Sequence, residues 1–338
     1  MRKTDKKALS FNITFINMAI SKVSLEPAVI DTLLYECRIP KHLLQEPNAR
    51  VPLVQMARLV SRLITTSGDE LLGHGKEPLP LGGLSLLIHW LVAANTMEQV
   101  FERLERYYQI IGKGPAVYTQ ISEQHVQLVL EPAQNTNRYI AENLFFVIHR
   151  ILSWLSREII TIDHIEFNYS EPAHAQDYRA VYYGAPITFD GDGSIMSFPK
   201  SLLQKPVRQD HASLEILLKD LFFDLYLLEF KSHSWAGKVA NEINDKLDSM
   251  PTLPELAWAM KVKPYTLQRR LADEGTSYLI IKNHLKRDSA IELLINTELT
   301  IEEVSVKLGF SETSPFTRTF KQWTGVPPSA YRKYQKTK

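Results

Sequence analysis

The feature that most constrains the fold is a faint duplication in the last third of the chain. One copy runs from Leu253 to Ser277, and the other runs from Thr300 to Val326. Matching positions in the two copies are Leu256, Ala257, Met260, Leu267 and Leu271 in the first, and Val304, Ser305, Leu308, Phe316 and Phe320 in the second. Arg269 matches Arg318 in the same way. Each copy predicts a short helix, a tight turn and a second helix, which is the helix-turn-helix pattern.

The second helix of each copy is predicted to have two different faces. In "TSPFTRTFKQWTG", Phe316, Phe320 and Trp323 recur at helical spacing and form one apolar stripe. Arg318 lies outside that stripe, and Gly325 is expected to end the helix. The stripe therefore predicts a buried face, and the polar residues predict a face that can contact an anionic partner.

Between the copies, "YLIIKNHLKRDSAIELLIN" predicts one helix of 19 residues. At 1.5 Å per residue it is about 28 Å long. Major-groove segments on one side of B-DNA recur at about 34 Å, so this helix could hold two recognition helices one turn of DNA apart. The alternative is an ordinary bundle of packed helices. The duplication, the spacing helix and the matching arginines together favour DNA binding.

The distribution of charge agrees with a nucleic-acid-binding module at the C-terminal end. From Ala236 onward the chain has 16 Lys and Arg against 12 Asp and Glu, whereas the rest has 23 against 26. Cys37 is the only cysteine, which excludes an internal disulfide and suits a reducing compartment. No apolar run approaches the roughly 20 residues of a membrane span, so we expect a cytoplasmic protein without a membrane partner.

Residues 1–205 predict a different kind of structure, an α+β domain in which helices and antiparallel strands mix. An alternating apolar pattern predicts a β-hairpin over residues 116–132, and "GDG" predicts the turn of a second hairpin within residues 186–199. A further strand is predicted in "IDHIEFNYS", residues 162–170.

Residues 206–235 are predicted to form a helical linker, and residues 236–338 an all-α domain. Within the linker, Ser213 to Phe230 predicts one long, apolar helix. Two interpretations stay open for it. Either it packs on the first domain, or it pairs with its copy in a second subunit and acts as a dimerisation helix.

The stretch from Trp235 to Tyr331 resembles the DNA-binding domain of the AraC/XylS transcription regulators. The resemblance is strongest in "LTIEEVSVKLGFSETSPFTRTFKQWTGVPPSAYR", Leu299 to Arg332. Upstream, "EPNARVPLVQMARLVSRLITTSGDELLGHGKEPLPLG" and "LIHWLVAANTMEQVFERLERYYQII" resemble the "arabinose-binding" type of N-terminal domain in one branch of that family. The resemblance implies two helix-turn-helix motifs joined by a long linker helix, and a domain that senses one of a variety of small molecules.

The resemblance also implies which side chains enter the DNA major groove. They are Tyr265, Gln268 and Arg269 on the first recognition helix, and Thr313, Ser314 and Arg318 on the second. Arginine can bind guanine through two hydrogen bonds, and glutamine can bind adenine in the same manner. Arg270 and Lys321 are expected to contact the DNA backbone. The alternative for Arg269 is an ion pair with Asp273, four residues further along the helix.

The chain departs from the family pattern at the turns. Lys261 occupies the first turn position where the family has glycine, whereas Gly309 is kept in the second copy. Lys263 replaces the usual helix cap, while Ser311 is expected to cap the second recognition helix. Ser305 stands where alanine is usual. We expect these changes to affect the rigidity of the first motif and not the assignment.

No pattern of catalytic or metal-binding residues is present, so we expect no enzyme activity, no cofactor and no metal. The favoured function is a sequence-specific DNA-binding transcription regulator controlled by a small-molecule effector, whose binding residues the sequence does not identify. The expected partners are double-stranded DNA, the effector, a second copy of the chain in a homodimer, and RNA polymerase. The alternative is an effector-independent regulator whose N-terminal domain serves dimerisation or protein contacts. An enzyme with a DNA-binding tail is a remote third hypothesis. Whether the protein activates or represses stays open.

Overall fold

The computed structural model describes residues 9–131, 137–228 and 234–332. The strands are β1 Ser10–Asn12, β2 Arg50–Pro52, β3 Ala116–Ile121, β4 His125–Glu131, β5 His164–Glu166, β6 Ile187–Thr188 and β7 Ser194–Pro199. The α-helices are α1 Thr14–Ile20, α2 Pro27–Glu36, α3 Leu53–Ser67, α4 Gly83–Val92, α5 Met97–Ile111, α6 Arg138–Ser156, α7 Tyr178–Val181, α8 His211–Leu217, α9 Leu221–Tyr226, α10 Trp235–Ile243, α11 Leu253–Ala259, α12 Pro264–Asp273, α13 Tyr278–Asn296, α14 Ile301–Lys307, α15 Thr313–Thr324 and α16 Pro328–Arg332. Within the described ranges, no helix combines the length and the apolar character that crossing a membrane requires.

The chain folds into two compact units, and each unit combines separate stretches of sequence. The helical unit comprises Met1–Ile16, Leu34–Met56 and Ser232–Lys338, and the sheet unit comprises Asn17–Leu33 and Ala57–Lys231. The two N-terminal strands, β1 and β2, therefore belong to the same unit as the C-terminal helices.

The sheet unit has five strands in the order β3-β4-β7-β5-β6. All neighbouring pairs are antiparallel except β5 and β6, which run parallel. The predicted hairpin over residues 116–132 is confirmed, because β3 and β4 pair along their length with Val117 opposite Leu130. The mixture of helices and a largely antiparallel sheet agrees with the α+β prediction for this part of the chain.

The second predicted hairpin, over residues 186–199, is wrong. Strands β6 and β7 do not pair with each other, because β5 lies between them and pairs with both. The "GDG" turn therefore connects two strands that are separated in the sheet by a strand from earlier in the chain. The insertion of β5 depends on contacts between residues that are distant in sequence, and a local turn pattern carries no information about such contacts.

The single helix predicted from Ser213 to Phe230 is also divided. The described part consists of α8, a 3₁₀ turn over Leu218–Asp220, and α9. Asp220 leaves the helical conformation with φ −148° and ψ 62°, so the helix axis cannot continue through it. Phe230 lies outside the described residues. As the first of the two interpretations predicts, α9 packs on α6, with the Phe146 and Tyr226 rings 4.9 Å apart.

Helix α6 provides a buried centre for the sheet unit. Its His149 side chain is 1% exposed, and the Nε2 atom lies 2.8 Å from the carbonyl oxygen of Ile160. In the neutral imidazole Nε2–H donates this hydrogen bond. Burial lowers the pKa of His149 to about 4, with a smaller contribution from the charge of Arg150. The folded protein therefore holds this histidine in its neutral form.

The helical unit is built around α13, which has the 19 residues predicted for it. Its first half contributes Ile281 and Leu285 to a core shared with helices α10, α11 and α12. The remainder of α13 contacts α14, α15, α16 and strand β2. One helix thus supports both helix pairs and the N-terminal strands.

A buried polar network fastens the N-terminal strands to the C-terminal helices. The Ser10 hydroxyl donates a hydrogen bond to Asp288, and Arg50 Nε donates to Ser10 Oγ over 2.9 Å. Arg287 Nε lies 2.8 Å from the same Asp288 carboxylate. The Tyr331 hydroxyl accepts from the Arg50 amide at 2.9 Å and donates to the Arg50 carbonyl at 3.1 Å. The buried charges are thereby paired and hydrogen-bonded, as buried charges must be.

The turns inside the two helix pairs have the same backbone geometry with different residues. Lys261 has φ 58° and Gly309 has φ 70°, so both lie in the left-handed region. In each turn the amide of the next residue bonds back to a carbonyl five residues earlier. A Cβ atom at Gly309 would lie 2.4 Å from the Asp248 carbonyl oxygen, which is a clash with backbone. The second turn therefore requires glycine, whereas the first tolerates lysine with backbone strain.

We expect effects of unequal size from exchanging the residue type at the two turns. Gly309→Ala should lower the free energy of unfolding by more than about 1 kcal/mol, because left-handed strain adds to the clash with Asp248. Lys261→Gly should change it by at most about 1 kcal/mol, since relief of strain offsets the added backbone entropy of glycine. Urea titrations followed by tryptophan fluorescence measure both. A larger loss in Lys261→Gly than in Gly309→Ala would contradict this explanation of the turns.

We also expect the stability of the protein to fall as the pH falls through the titration of His149. Below about pH 6.5 the unfolded chain binds a proton that the folded chain, with a His149 pKa of about 4, does not bind. The stabilisation is complete above pH 6.5 and should decrease by about 2 kcal/mol between pH 7 and 5. Urea midpoints over this range test it. His149→Gln, which can still donate to Ile160, should show a shallower dependence on pH, and an unchanged dependence would refute this source.

Candidate functional sites

The first helix of each pair begins with the same cap. Thr252 and Glu255 form a capping box at α11, and Thr300 and Glu303 form one at α14. In both, the threonine hydroxyl accepts from the glutamate amide, and the glutamate carboxylate accepts from the threonine amide. The spacing Thr-x-x-Glu predicts such a capping box from sequence alone, and its presence in both copies is a further similarity between them.

Helix α12 exposes the three residues that the sequence analysis assigned to its DNA-facing side. Leu267 and Leu271 are buried in the core of the helical unit at 0% and 1% exposure. Tyr265 is 73% exposed, and Gln268 and Arg269 are also exposed. The helix therefore has the two predicted faces, and the face away from the core carries one aromatic, one amide and one guanidinium group.

Helix α15 repeats this arrangement. Phe316 and Phe320 have no exposed surface, while Trp323 is half-buried with its ring 6.5 Å from that of Phe310. Ser314 and Arg318 are exposed. Thr313, the first residue of the helix, is half-buried, and Gly325 ends the helix in the left-handed conformation as predicted.

The two matching arginines are available for an external partner. Neither Arg269 nor Arg318 takes part in an ion pair among the described residues, so the alternative pairing of Arg269 with Asp273 is not formed. Lys321 is exposed near the end of α15. Exposed guanidinium groups can make bidentate hydrogen bonds to a base edge or a phosphate.

Arg270 has a partner that the sequence analysis missed. Its guanidinium carbon lies 4.1 Å from the centre of the Trp235 ring, and Lys238 Nζ lies 4.9 Å from the same ring. Trp235 therefore holds two cations at the start of α10 by cation–π contact. No spacing rule connects Trp235 with Arg270, because α10 and α12 meet only in the folded unit.

The cap expected at Ser311 is wrong. Helix α15 starts at Thr313, its N-cap residue is Glu312, and no side chain caps it. The Ser305 hydroxyl instead donates to the Glu312 carbonyl oxygen over 3.1 Å. The serine that replaces the usual alanine thus connects the first helix of the pair to the start of the second. As expected from Lys263, α12 has no side-chain cap, and Pro264 is its first residue.

The sheet unit contains a cavity, part of which is open to solvent. Helices α3, α4, α5, α6 and α9 and the connecting segments supply its walls. The lining residues are Ile64, Glu70, Leu71, Leu79, Leu84, Tyr107, Tyr108, Ile111, Gly114, Pro115, Ile140, Asn143, Leu144, Val147, Phe222, Leu225 and Tyr226. The concave shape and the mainly apolar walls suit a small-molecule site. No group of three His, Cys, Asp or Glu side chains in the described ranges could hold a metal ion.

Two family models match the chain. The N-terminal arabinose-binding domain of AraC transcription regulators matches residues 29–207, and a helix-turn-helix domain matches residues 256–334. Both matches cover the parts of the chain from which the sequence analysis derived its resemblance. The second includes the two helix pairs described above.

Individual proteins agree with these models. The ornithine utilization regulator of Pseudomonas aeruginosa is 24% identical over 344 residues, which cover 97% of this chain and 99% of that protein. The transcriptional regulator VqsM of the same species is 28% identical over 167 residues, covering 48% of this chain and 51% of VqsM. The solved structure of the P. aeruginosa regulator CdpR is 21% identical and covers 90% of this chain and 96% of that chain, with a TM-score of 0.29.

VqsM is a helix-turn-helix transcriptional regulator, and the ornithine utilization protein is also a regulator. The first family model alone spans more than half of the chain. The chain therefore belongs to the AraC family of DNA-binding transcription regulators, in the branch that has an arabinose-binding-type N-terminal domain.

Proposed function

We propose that this transcription regulator, which is not an enzyme, reads specific DNA sites with α12 and α15 and responds to a small-molecule effector bound in its sheet unit. The observation that carries the DNA-reading part is the matched exposure of Arg269 and Arg318. Both lie on the outer face of the second helix of a pair, and both lack an ion-pair partner within the described ranges. That duplication suits two successive contacts with one face of a DNA duplex.

In this proposal each helix pair is a helix-turn-helix motif, and α13 is the linker helix that sets their spacing. Nineteen residues give α13 a length of about 28 Å, close to the roughly 34 Å between major-groove segments on one side of B-DNA. Tyr265, Gln268 and Arg269 enter one groove segment. Thr313, Ser314 and Arg318 enter the next.

The backbone contacts follow from charge and position. Lys321 is exposed, so its ammonium group is placed to meet phosphate. Arg270 is held against Trp235, which restricts its side chain and lowers the entropy lost when it binds a phosphate. We propose backbone contact, and not base reading, for both residues.

The regulatory part of the proposal is supported by the family membership and by the cavity of the sheet unit. Residues 206–235 join that part of the chain to the DNA-binding domain at 236–338. We further propose a homodimer that acts in the cytoplasm beside its DNA and contacts RNA polymerase when it activates. The alternative remains an effector-independent regulator whose N-terminal domain serves dimerisation or protein contacts.

For the DNA-reading residues we expect Arg269→Ala and Arg318→Ala each to weaken specific binding by about 1–3 kcal/mol, because a bidentate contact to a base is lost. Base preference should relax within the half-site that each arginine reads. Genome-wide mapping of binding sites supplies the operator, and gel-shift titrations on that operator and on mutated half-sites measure the effect.

Two matched variants separate base reading from charge. Arg269→Lys keeps the charge and should still lose base preference, because lysine cannot form the planar bidentate contact. Lys321→Ala should weaken binding to all sequences alike and reduce the salt dependence by about one phosphate contact. Unchanged affinity and base preference in both alanine variants at 269 and 318 would refute the assignment.

For the effector we expect some small molecules to stabilise the full-length protein and to change its affinity for the operator or its choice of sites. A compound that binds only the folded state at 100 times its Kd adds about 2.7 kcal/mol of stability. Thermal-shift screening of a metabolite library, followed by gel shifts with each compound that raises Tm, measures both effects. Equal operator affinity, site choice and transcription with and without a confirmed ligand would favour the effector-independent alternative.

A further inference from the structure

The walls of the cavity carry no cationic side chain among the residues that the structure describes. Within the same residues, Glu70 is the one charged group in the lining, which contains no lysine, arginine or histidine. A carboxylate or phosphate placed there would lose its hydration without gaining a cation, and it would lie near a residue of like charge. The lining therefore selects against anionic compounds.

Glu70 is a fixed hydrogen-bond acceptor in this apolar wall. It is 8% exposed, and its oxygens accept the amides of Gly82 and Leu84, each over 2.7 Å. These bonds hold the carboxylate at the start of α4. Burial raises its pKa, and the backbone hydrogen bonds oppose that rise. Each carboxylate oxygen has capacity for a further donor, so a ligand donor can bind without displacing either amide.

The Tyr107 hydroxyl provides a second polar group on the cavity wall. The residue is 4% exposed, and its hydroxyl has no hydrogen-bond partner in the part of the chain that the structure describes. Burial and the charge of Glu70 both raise the pKa of Tyr107, so the hydroxyl keeps its proton and can donate or accept. A buried hydroxyl without a partner is costly, and a ligand that pairs with it removes that cost.

We propose that this cavity is the effector site and that it binds a small compound with an apolar body and a primary amino group. The ammonium group pairs with Glu70 and donates to the Tyr107 hydroxyl, while the body lies against the apolar lining. This inference rests on the proposed effector control and specifies its ligand class. A neutral compound of the same shape can fill the cavity but gains no ion pair.

The site also includes the segment that leads toward the DNA-binding domain. Phe222, Leu225 and Tyr226 of α9 line the cavity. Helix α9 is one short helix of six residues that precedes residues 229–233 and the start of α10. A ligand that fills the cavity and pairs with Glu70 therefore also contacts α9. Binding of a ligand can thereby change the stability of α9, the last described helix before the chain continues to α10.

The experiment compares probes of similar size that differ in the polar group. Full-length protein is titrated by calorimetry with phenethylamine, 2-phenylethanol and 3-phenylpropionate. We expect phenethylamine to bind at least about tenfold more tightly than 3-phenylpropionate, with the alcohol between them. Ornithine is included because it carries amino groups without an apolar body and has a carboxylate. It should bind more weakly than phenethylamine.

Variants place the binding in this cavity. Glu70→Gln should remove the preference for the amine over the acid, and Tyr107→Phe should weaken amine binding several-fold while leaving the Glu70 contacts to α4 intact. Leu144→Phe should fill the cavity and abolish binding of all probes. Glu102→Gln, an exposed glutamate on α5, is the matched control and should bind phenethylamine as the unmodified protein does.

Three outcomes overturn the inference: no binding of phenethylamine, equal or tighter binding of 3-phenylpropionate or ornithine, or amine binding that survives both Glu70→Gln and Leu144→Phe. None of these outcomes refutes effector control itself, which is tested separately by the library screen and the gel shifts that follow it. That screen can find an effector of another class or at another site. Failure of the ligand class and failure of effector control are therefore distinguishable.

Discussion

The helical unit depends on the burial of one helix, α13, along most of its length. Nine of its residues are buried, and they include apolar, polar and charged side chains: Ile281, Leu285, Arg287, Asp288, Ser289, Ala290, Ile291, Leu294 and Ile295. The apolar members pack against the two helix pairs, and Asp288 accepts a hydrogen bond from Ser10 near the N-terminus. A helix that is buried on several sides can carry charged residues among its apolar ones only if polar partners reach those charges. The N-terminal strands supply those partners, which explains why they fold with the end of the chain.

The two helix pairs show how a duplicated motif can keep its geometry while its residues diverge. Both turns place a residue in the left-handed region, because the chain must reverse direction between two helices that pack on a common core. Gly309 is required at one turn because the Asp248 carbonyl approaches too closely for a Cβ atom. At the other turn Lys261 adopts the same conformation. The difference lies in the surroundings and not in the turn itself.

In the sheet unit, the proposed ligand selection follows from the contrast between polar groups and an apolar environment. Glu70 is positioned by two backbone amides, and Tyr107 lines the same cavity. In water these groups would interact weakly with a ligand. Behind apolar walls they discriminate between ligands by charge, because an unpaired charge is costly there. Family membership identifies the domain, while the proposed ligand class rests on these side chains.

The sequence by itself determined the features that depend on neighbouring residues. The two helix pairs, the 19 residues of α13, the hairpin of β3 and β4 and the end of α15 at Gly325 follow from periodicity and local backbone preference. So do the exposed faces of α12 and α15, although their contacts with DNA remain a prediction. Only the tertiary structure decided the insertion of β5 between β6 and β7, the docking of β1 and β2 on α13, the division of the helix at Asp220, and the cavity at Glu70. The strand insertion, the docking of β1 and β2 and the cavity join residues far apart along the chain, and local periodicity carries no information about which distant segments will pack together.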